Sequence, residues 1–232
     1  MSTVVAIEEA PWRAGFRSAR ANLVPGFFLQ ILALSLVTAY YQNDSARSAL
    51  NQLADWREEV GVIFAIISTG TFGGLLPLLY LRLRRDTRSH YTWLQGAAIT
   101  AFWSYKGFEV DLLYRMLARF VGTGHDVATI AIKTTIDMFL YCPLLAVPIT
   151  VLFYAWVGLH FNRVEWAREI RSAGWFSRKI LPLLISNFWV WLPTACIIYT
   201  LPTPLQLPLQ NLVLCFYTLL VAHLSRPPRN QI

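Results

Sequence analysis

The chain has 232 residues, a formal net charge of +7 and 56% hydrophobic residues, with only 14% charged and a mean hydropathy of +0.45. These values exclude an ordinary soluble surface, because about a quarter of the residues of a soluble domain are charged. The positive charge falls in the gaps between long apolar stretches rather than on a module of its own, so it reports membrane topology instead of nucleic-acid binding.

Residues 1–22 form a cytoplasmic N-terminal segment in this reading. Glu8 and Glu9 precede Arg13, Arg17 and Arg20, and acidic residues are out of place in a mitochondrial transit peptide. The apolar stretch after them runs past signal-peptide length and is read as a retained span. Six spans are expected, over residues 23–41, 60–82, 94–117, 130–159, 180–200 and 205–224, each compatible with the ~20 residues that cross a bilayer. The second is free of charge before Arg82. The third and fourth have Lys106, Glu109, Asp111, Lys133 and Asp137 in or beside them. Charges are costly against lipid, so these two helices are expected to face protein or water.

Basic residues set the orientation. With the N-terminus inside, the inner segments collect Arg13, Arg17 and Arg20, then Arg82, Arg84, Arg85 and Arg88, then Arg163, Arg168, Arg171, Arg178 and Lys179, and finally Arg226 and Arg229. Arg47 and Arg57 fall in the first outer loop, and Arg115 and Arg119 follow the third span. Both termini are therefore placed on the cytoplasmic side. Tyr40, Tyr41, Tyr91, Trp93, Tyr154, Trp156, Trp175 and Phe176 cluster where spans meet headgroups, as amphipathic rings prefer. Residues 160–179 are read as an amphipathic cytoplasmic connection, with Trp166, Ile170 and Ala173 on one face of a helix lying in the interface plane.

Prolines at positions 25, 77, 143, 148, 182, 193 and 208 predict bent helices. Gly70, Gly73 and Gly74 predict close helix approach in the second span. The fold expected is all-α: a polytopic transmembrane bundle of about four to six kinked spans forming one integral membrane domain over residues 1–232.

Among candidate site residues, Lys133 and Asp137 stand four apart, on one helix face. They either line an ion or solute path or form a structural pair that lowers the cost of burying both charges. Glu109 and Asp111, which follow Lys106, carry the same two readings. The amides Asn187, Gln210 and Asn211 can hydrogen-bond between helices. Four scattered histidines without ligand spacing predict neither metal nor cofactor. Cys142, Cys196 and Cys215 are expected as buried packing residues. No hydrolase elbow or phosphate loop occurs, so an enzyme is not expected.

The C-terminal half carries three further patterns in order. Gly107 is followed by Tyr114, Leu117, Arg119 and Phe120; Lys133 and Asp137 are followed by Pro143; Asn187, Trp191 and Pro193 lead to Leu201 and Pro202 and a final span. In these pieces residues 107–224 resemble the Mpv-seventeen family of peroxisomal and mitochondrial inner-membrane proteins, which has bacterial relatives. The chain departs from that pattern at Met138, where the family has Gln, at Leu192, which interrupts Trp-Pro, and at the apolar positions Ala195 and Ile198. The resemblance implies a channel-like protein or small-solute pore, in a bacterial cytoplasmic membrane first and an organelle membrane second. Membrane lipids are the expected partners, with self-association open and nucleic acid excluded. The alternative is a non-conducting scaffold that binds lipid or a partner through its basic loops.

Overall fold

The computed structural model describes residues 10–83 and 92–224, with side chains as far as residue 219. Glu8, Glu9, Arg84, Arg85, Arg88, His90, Tyr91, Arg226 and Arg229 lie outside the described residues. Eight helices and no strand occur among those described. They are α1 (Pro11–Gln42), α2 (Asp44–Val60), α3 (Val62–Leu83), α4 (Trp93–Phe120), α5 (Val127–Gly158), α6 (Arg163–Ile170), α7 (Phe176–Ile198) and α8 (Thr203–Leu224). Four of them, α1, α3, α5 and α7, are long and apolar enough to cross a membrane. The chain is thus an all-α protein with the composition of a polytopic membrane protein. Large apolar side chains stay exposed along these helices, including Phe27, Phe28 and Leu34 on α1, Ile63 and Ile67 on α3, and Phe139 and Leu144 on α5. Faces of this kind suit hydrocarbon.

Several boundaries differ from the sequence reading. Helix α1 starts at Pro11, so Arg13, Arg17 and Arg20 ride on its first turns instead of in a separate segment. The expected first outer loop is the helix α2. It is capped at its start by Asn43, whose side chain accepts from the Ala46 amide at 2.9 Å. It ends at Gly61, where a φ of 67° suits a residue without Cβ. The expected third span is α4, whose charges keep it off the set of strongly apolar helices. Its start is fixed by a capping box that the sequence reading missed: the Gln95 amide donates to Thr92 Oγ1 at 3.2 Å, and the Thr92 amide donates to Gln95 Oε1 at 2.8 Å. The amphipathic connection is a helix over Arg163–Ile170 only, since a turn through Gly174 leads directly into α7.

Three of the prolines follow π-helical turns. Gly70–Leu75 precedes Pro77 by two residues, Asp137–Ala146 precedes Pro148 by two, and Phe176–Ile180 precedes Pro182 by two. A proline ring collides with the carbonyl four residues back and offers no N–H. Widening the preceding turn to i→i−5 bonds, as in Leu76 N–H to the Thr71 carbonyl and Leu181 N–H to the Phe176 carbonyl, accommodates that carbonyl without breaking the helix.

The chain divides into two compact units. One takes residues up to Val24 together with Asp137–Leu192, and the other takes Pro25–Ile136 together with residues from Pro193 onward. In the first, Val147, Trp175, Ile180 and Leu184 form a core. Gly15 lets α1 approach α7 so closely that a Cβ there would lie 2.7 Å from the end of Ile185, and Asn22 donates to Ser186 Oγ at 2.9 Å. In the second unit, α3 and α4 meet along a seam of glycines. A Cβ at Gly74 would stand 2.6 Å from Thr100 Cα, and one at Gly107 would stand 2.2 Å from the Ala65 carbonyl oxygen. Close approach at the glycine run of α3 is therefore real, and Gly107 extends it from the other side.

Candidate functional site

Within the second unit, α4 carries two of the buried charged residues, Lys106 and Asp111. The Asp111 carboxylate is engaged at both oxygens: one accepts from the Arg57 guanidinium on α2, and the other accepts from Arg115 Nε at 2.7 Å, one helical turn further along α4. Arg57 and Asp111 are each about 2% exposed, while the Arg115 side chain is half in the open. Burial pushes the Arg57 guanidinium below its ordinary pKa, and the neighbouring Asp111 carboxylate opposes that shift. An arginine stays charged under such a shift. One turn away, Lys106 Nζ donates to Glu109 Oε1 at 2.5 Å, and both side chains are largely buried.

Amides and hydroxyls complete this cluster. Thr69 on α3 donates to Asn211 Oδ1 at 2.9 Å, and Asn211 Nδ2 donates to Ser68 Oγ at 2.9 Å, joining α3 to α8. The Tyr114 hydroxyl donates to Gln210 Oε1, and the ring meets Tyr199 edge-on at 5.6 Å. Gln206 Nε2 donates to the Leu201 carbonyl at 2.9 Å, tying the start of α8 to the Leu-Pro turn at Pro202. Beside these groups lies a cavity of about 560 Å³, walled by Leu53, Trp56, Phe64, Phe72, Leu205 and Leu209 and almost wholly apolar. Ser68 and Asn211 reach its lining but already satisfy each other.

The α5 candidates are disposed differently. Lys133 is 1% exposed, in the second unit, with its Nζ 6.0 Å from the centre of the Tyr199 ring. Asp137 opens the π-helical stretch of α5 and belongs to the first unit. There the Cys142 thiol lies 3.8 Å from Asp137 Oδ1, and Asn187 Nδ2 lies 3.7 Å from the same sulfur. The structure thus links Asp137 and Asn187 through Cys142, links Glu109 to Lys106, and links Asp111 to two arginines. Of the remaining candidates, Pro143 lies inside the π-helical stretch, while Trp191 and Pro193 lie in α7.

The first unit holds a second cavity, of about 440 Å³, between the end of α5 and the start of α7. Its lining includes Thr150, Tyr154, Glu169, Trp175, Lys179 and Leu183. Lys179 Nζ pairs with Glu169 Oε1 at 3.2 Å, and the buried Trp175 Nε1 has no hydrogen-bond partner among the described residues.

Sequence reasoning missed Arg57, which was placed in an outer loop. The apolar spacing Leu50, Leu53, Trp56 and Val60 is the signal that would have made that stretch a helix with a buried side. Cys142 and Cys215 are buried as expected, but Cys196 is exposed; it sits among apolar residues of α7, where a small thiol can face hydrocarbon. Among the described residues no group of three or more His, Cys, Asp and Glu side chains could hold a metal ion. No family model, curated protein or solved structure matches the chain.

Proposed function

We propose that the protein is a non-conducting membrane scaffold whose buried charges and amides are joints between helices. The observation that carries this reading is the Asp111 carboxylate, both of whose oxygens are taken up by arginines, one from a neighbouring helix. A carboxylate so engaged has little capacity left for a passing ion. The Thr69–Asn211–Ser68 chain supports the same reading, since hydroxyls and amides that bond across helices are the usual polar glue of membrane proteins.

A double-mutant cycle tests the joint. Arg57→Leu and Asp111→Leu each leave a charge behind in a buried site, and each is expected to cost about 3–5 kcal/mol of stability in detergent unfolding. The double variant replaces the pair by apolar side chains and is expected to lie closer to the parent than either single variant. Strictly additive losses would mean that the two groups do not act as a pair.

A second reading, a channel of the Mpv-seventeen type, is favoured by one observation: α5 carries two buried charged residues, Lys133 and Asp137, the latter at the start of a π-helical stretch that contains Pro143. Interruptions of this kind commonly mark functional positions in membrane helices. In either reading the host is an internal or cytoplasmic membrane, with a bacterial cytoplasmic membrane placed ahead of an organelle membrane, and the chain has no catalytic role.

A further inference from the structure

The 440 Å³ cavity of the first unit sits where two candidate spans end. Thr150, Tyr154 and Gly158 come from the last turns of α5, which finishes at Gly158, while Trp175, Lys179 and Leu183 come from the start of α7 at Phe176, and Glu169 comes from the short α6 between them. Because residues at the ends of spans lie at headgroup depth, the cavity opens at the membrane–water boundary. Its chemistry is graded. Val151, Ala155 and Leu183 give an apolar wall, and Lys179 and Glu169 give a charged one.

Trp175 is the informative residue. It is 9% exposed, and its indole N–H is buried with no acceptor among the described residues. A buried donor left without an acceptor is costly, and buried tryptophan N–H groups usually find one. The acceptor required is an oxygen. Lys179 adds a cation that is more than half exposed; its ammonium has three donors, of which the contact with Glu169 uses one. The surrounding segment carries Arg163, Arg168, Arg171, Arg178 and Lys179 against Glu165 and Glu169, so its field favours a negatively charged guest.

We propose that this cavity binds the headgroup of an acidic phospholipid. A phosphate oxygen accepts from Trp175 Nε1 and from the free donors of Lys179, and the proximal acyl carbons lie along Val151 and Leu183. Glu169 holds Lys179 at the rim. The site goes beyond the scaffold reading and does not depend on it, since a channel would carry the same cavity.

Native mass spectrometry of the purified chain in neutral detergent, titrated with phosphatidylglycerol, phosphatidylcholine or inorganic phosphate, tests the proposal. Phosphatidylglycerol is expected to saturate one site roughly tenfold more tightly than phosphatidylcholine, as follows from a hydrogen bond and an ion pair to a net negative group. Inorganic phosphate is expected not to compete. Trp175→Phe keeps the ring and removes only the N–H, and should weaken phosphatidylglycerol binding about tenfold. Lys179→Gln, at an exposed position that does not threaten folding, should weaken it by a similar factor. The proposal is overturned if folded Trp175→Phe and Lys179→Gln proteins retain the parent's affinity, if the two lipids bind equally, or if inorganic phosphate displaces the lipid. If Trp175→Phe fails to fold, Lys179→Gln alone decides.

Discussion

Helices α4 and α5 both carry charge into apolar surroundings, but α4 does so on regular α-helical winding and α5 across a change to π-helical winding. On α4, Glu109 is met by Lys106 three residues earlier, and Asp111 is met by Arg115 four residues later and by Arg57 from α2. On α5, Lys133 approaches the Tyr199 ring and Asp137 lies near the Cys142 thiol. Helix α4 is α-helical throughout, so residues three and four apart share a face. Helix α5 changes from α-helical to π-helical winding between Ile136 and Asp137, which alters the phase of every side chain beyond that point. Regular winding brings Lys106 to Glu109 and Asp111 to Arg115 along α4.

This contrast can be broken first on α4. The charged pairs stay buried because α4 packs tightly along the glycine seam, and Gly107→Leu would drive a side chain into the Ala65 carbonyl and Thr69. A loss of about 1–3 kcal/mol is expected from overpacking, measurable as a lower denaturant midpoint in detergent. An unchanged midpoint would show that the seam does not hold the helix.

The smaller effect lies at the exposed start of α5. Asp126 accepts from the Thr129 amide at 3.0 Å and from the Thr129 hydroxyl at 2.7 Å, and these bonds hold its carboxyl below the ordinary value of 3.8. A depressed folded-state pKa contributes stability above the unfolded value, and this contribution is lost as pH falls through the folded one. Asp126→Ala should therefore lower the unfolding midpoint slightly at neutral pH, with the difference from the parent disappearing on acidification below about pH 3.8. A difference that persisted at acid pH would assign the effect to something other than the charged cap.

Much of the architecture was legible in the sequence. Long apolar stretches gave α3, α5 and α7 within a few residues, because the length needed to cross hydrocarbon is a coarse and strong constraint. The polar stretch after Gln42 was harder. Its helix shows only in the spacing of Leu50, Leu53, Trp56 and Val60, and Arg57 reads as a loop cation until that face is seen to be covered. The prolines signalled bending, but the form it takes, a π-helical stretch ending two residues before Pro77, Pro148 and Pro182, depends on how the freed carbonyls are re-bonded. Partners more than a hundred residues apart, such as Thr69 and Asn211, leave no trace in local spacing at all. Trp175 is expected from the sequence among the interfacial aromatics, while its unpartnered N–H is a property of packing alone.

Planar-bilayer recording of the purified chain, beside a folded Asp137→Asn variant, tests most directly whether these buried charges join helices or line a path. The scaffold account predicts no discrete currents from either protein at any voltage or pH. Discrete currents whose ion selectivity shifts in the variant would contradict it and place Asp137 in a conducting path.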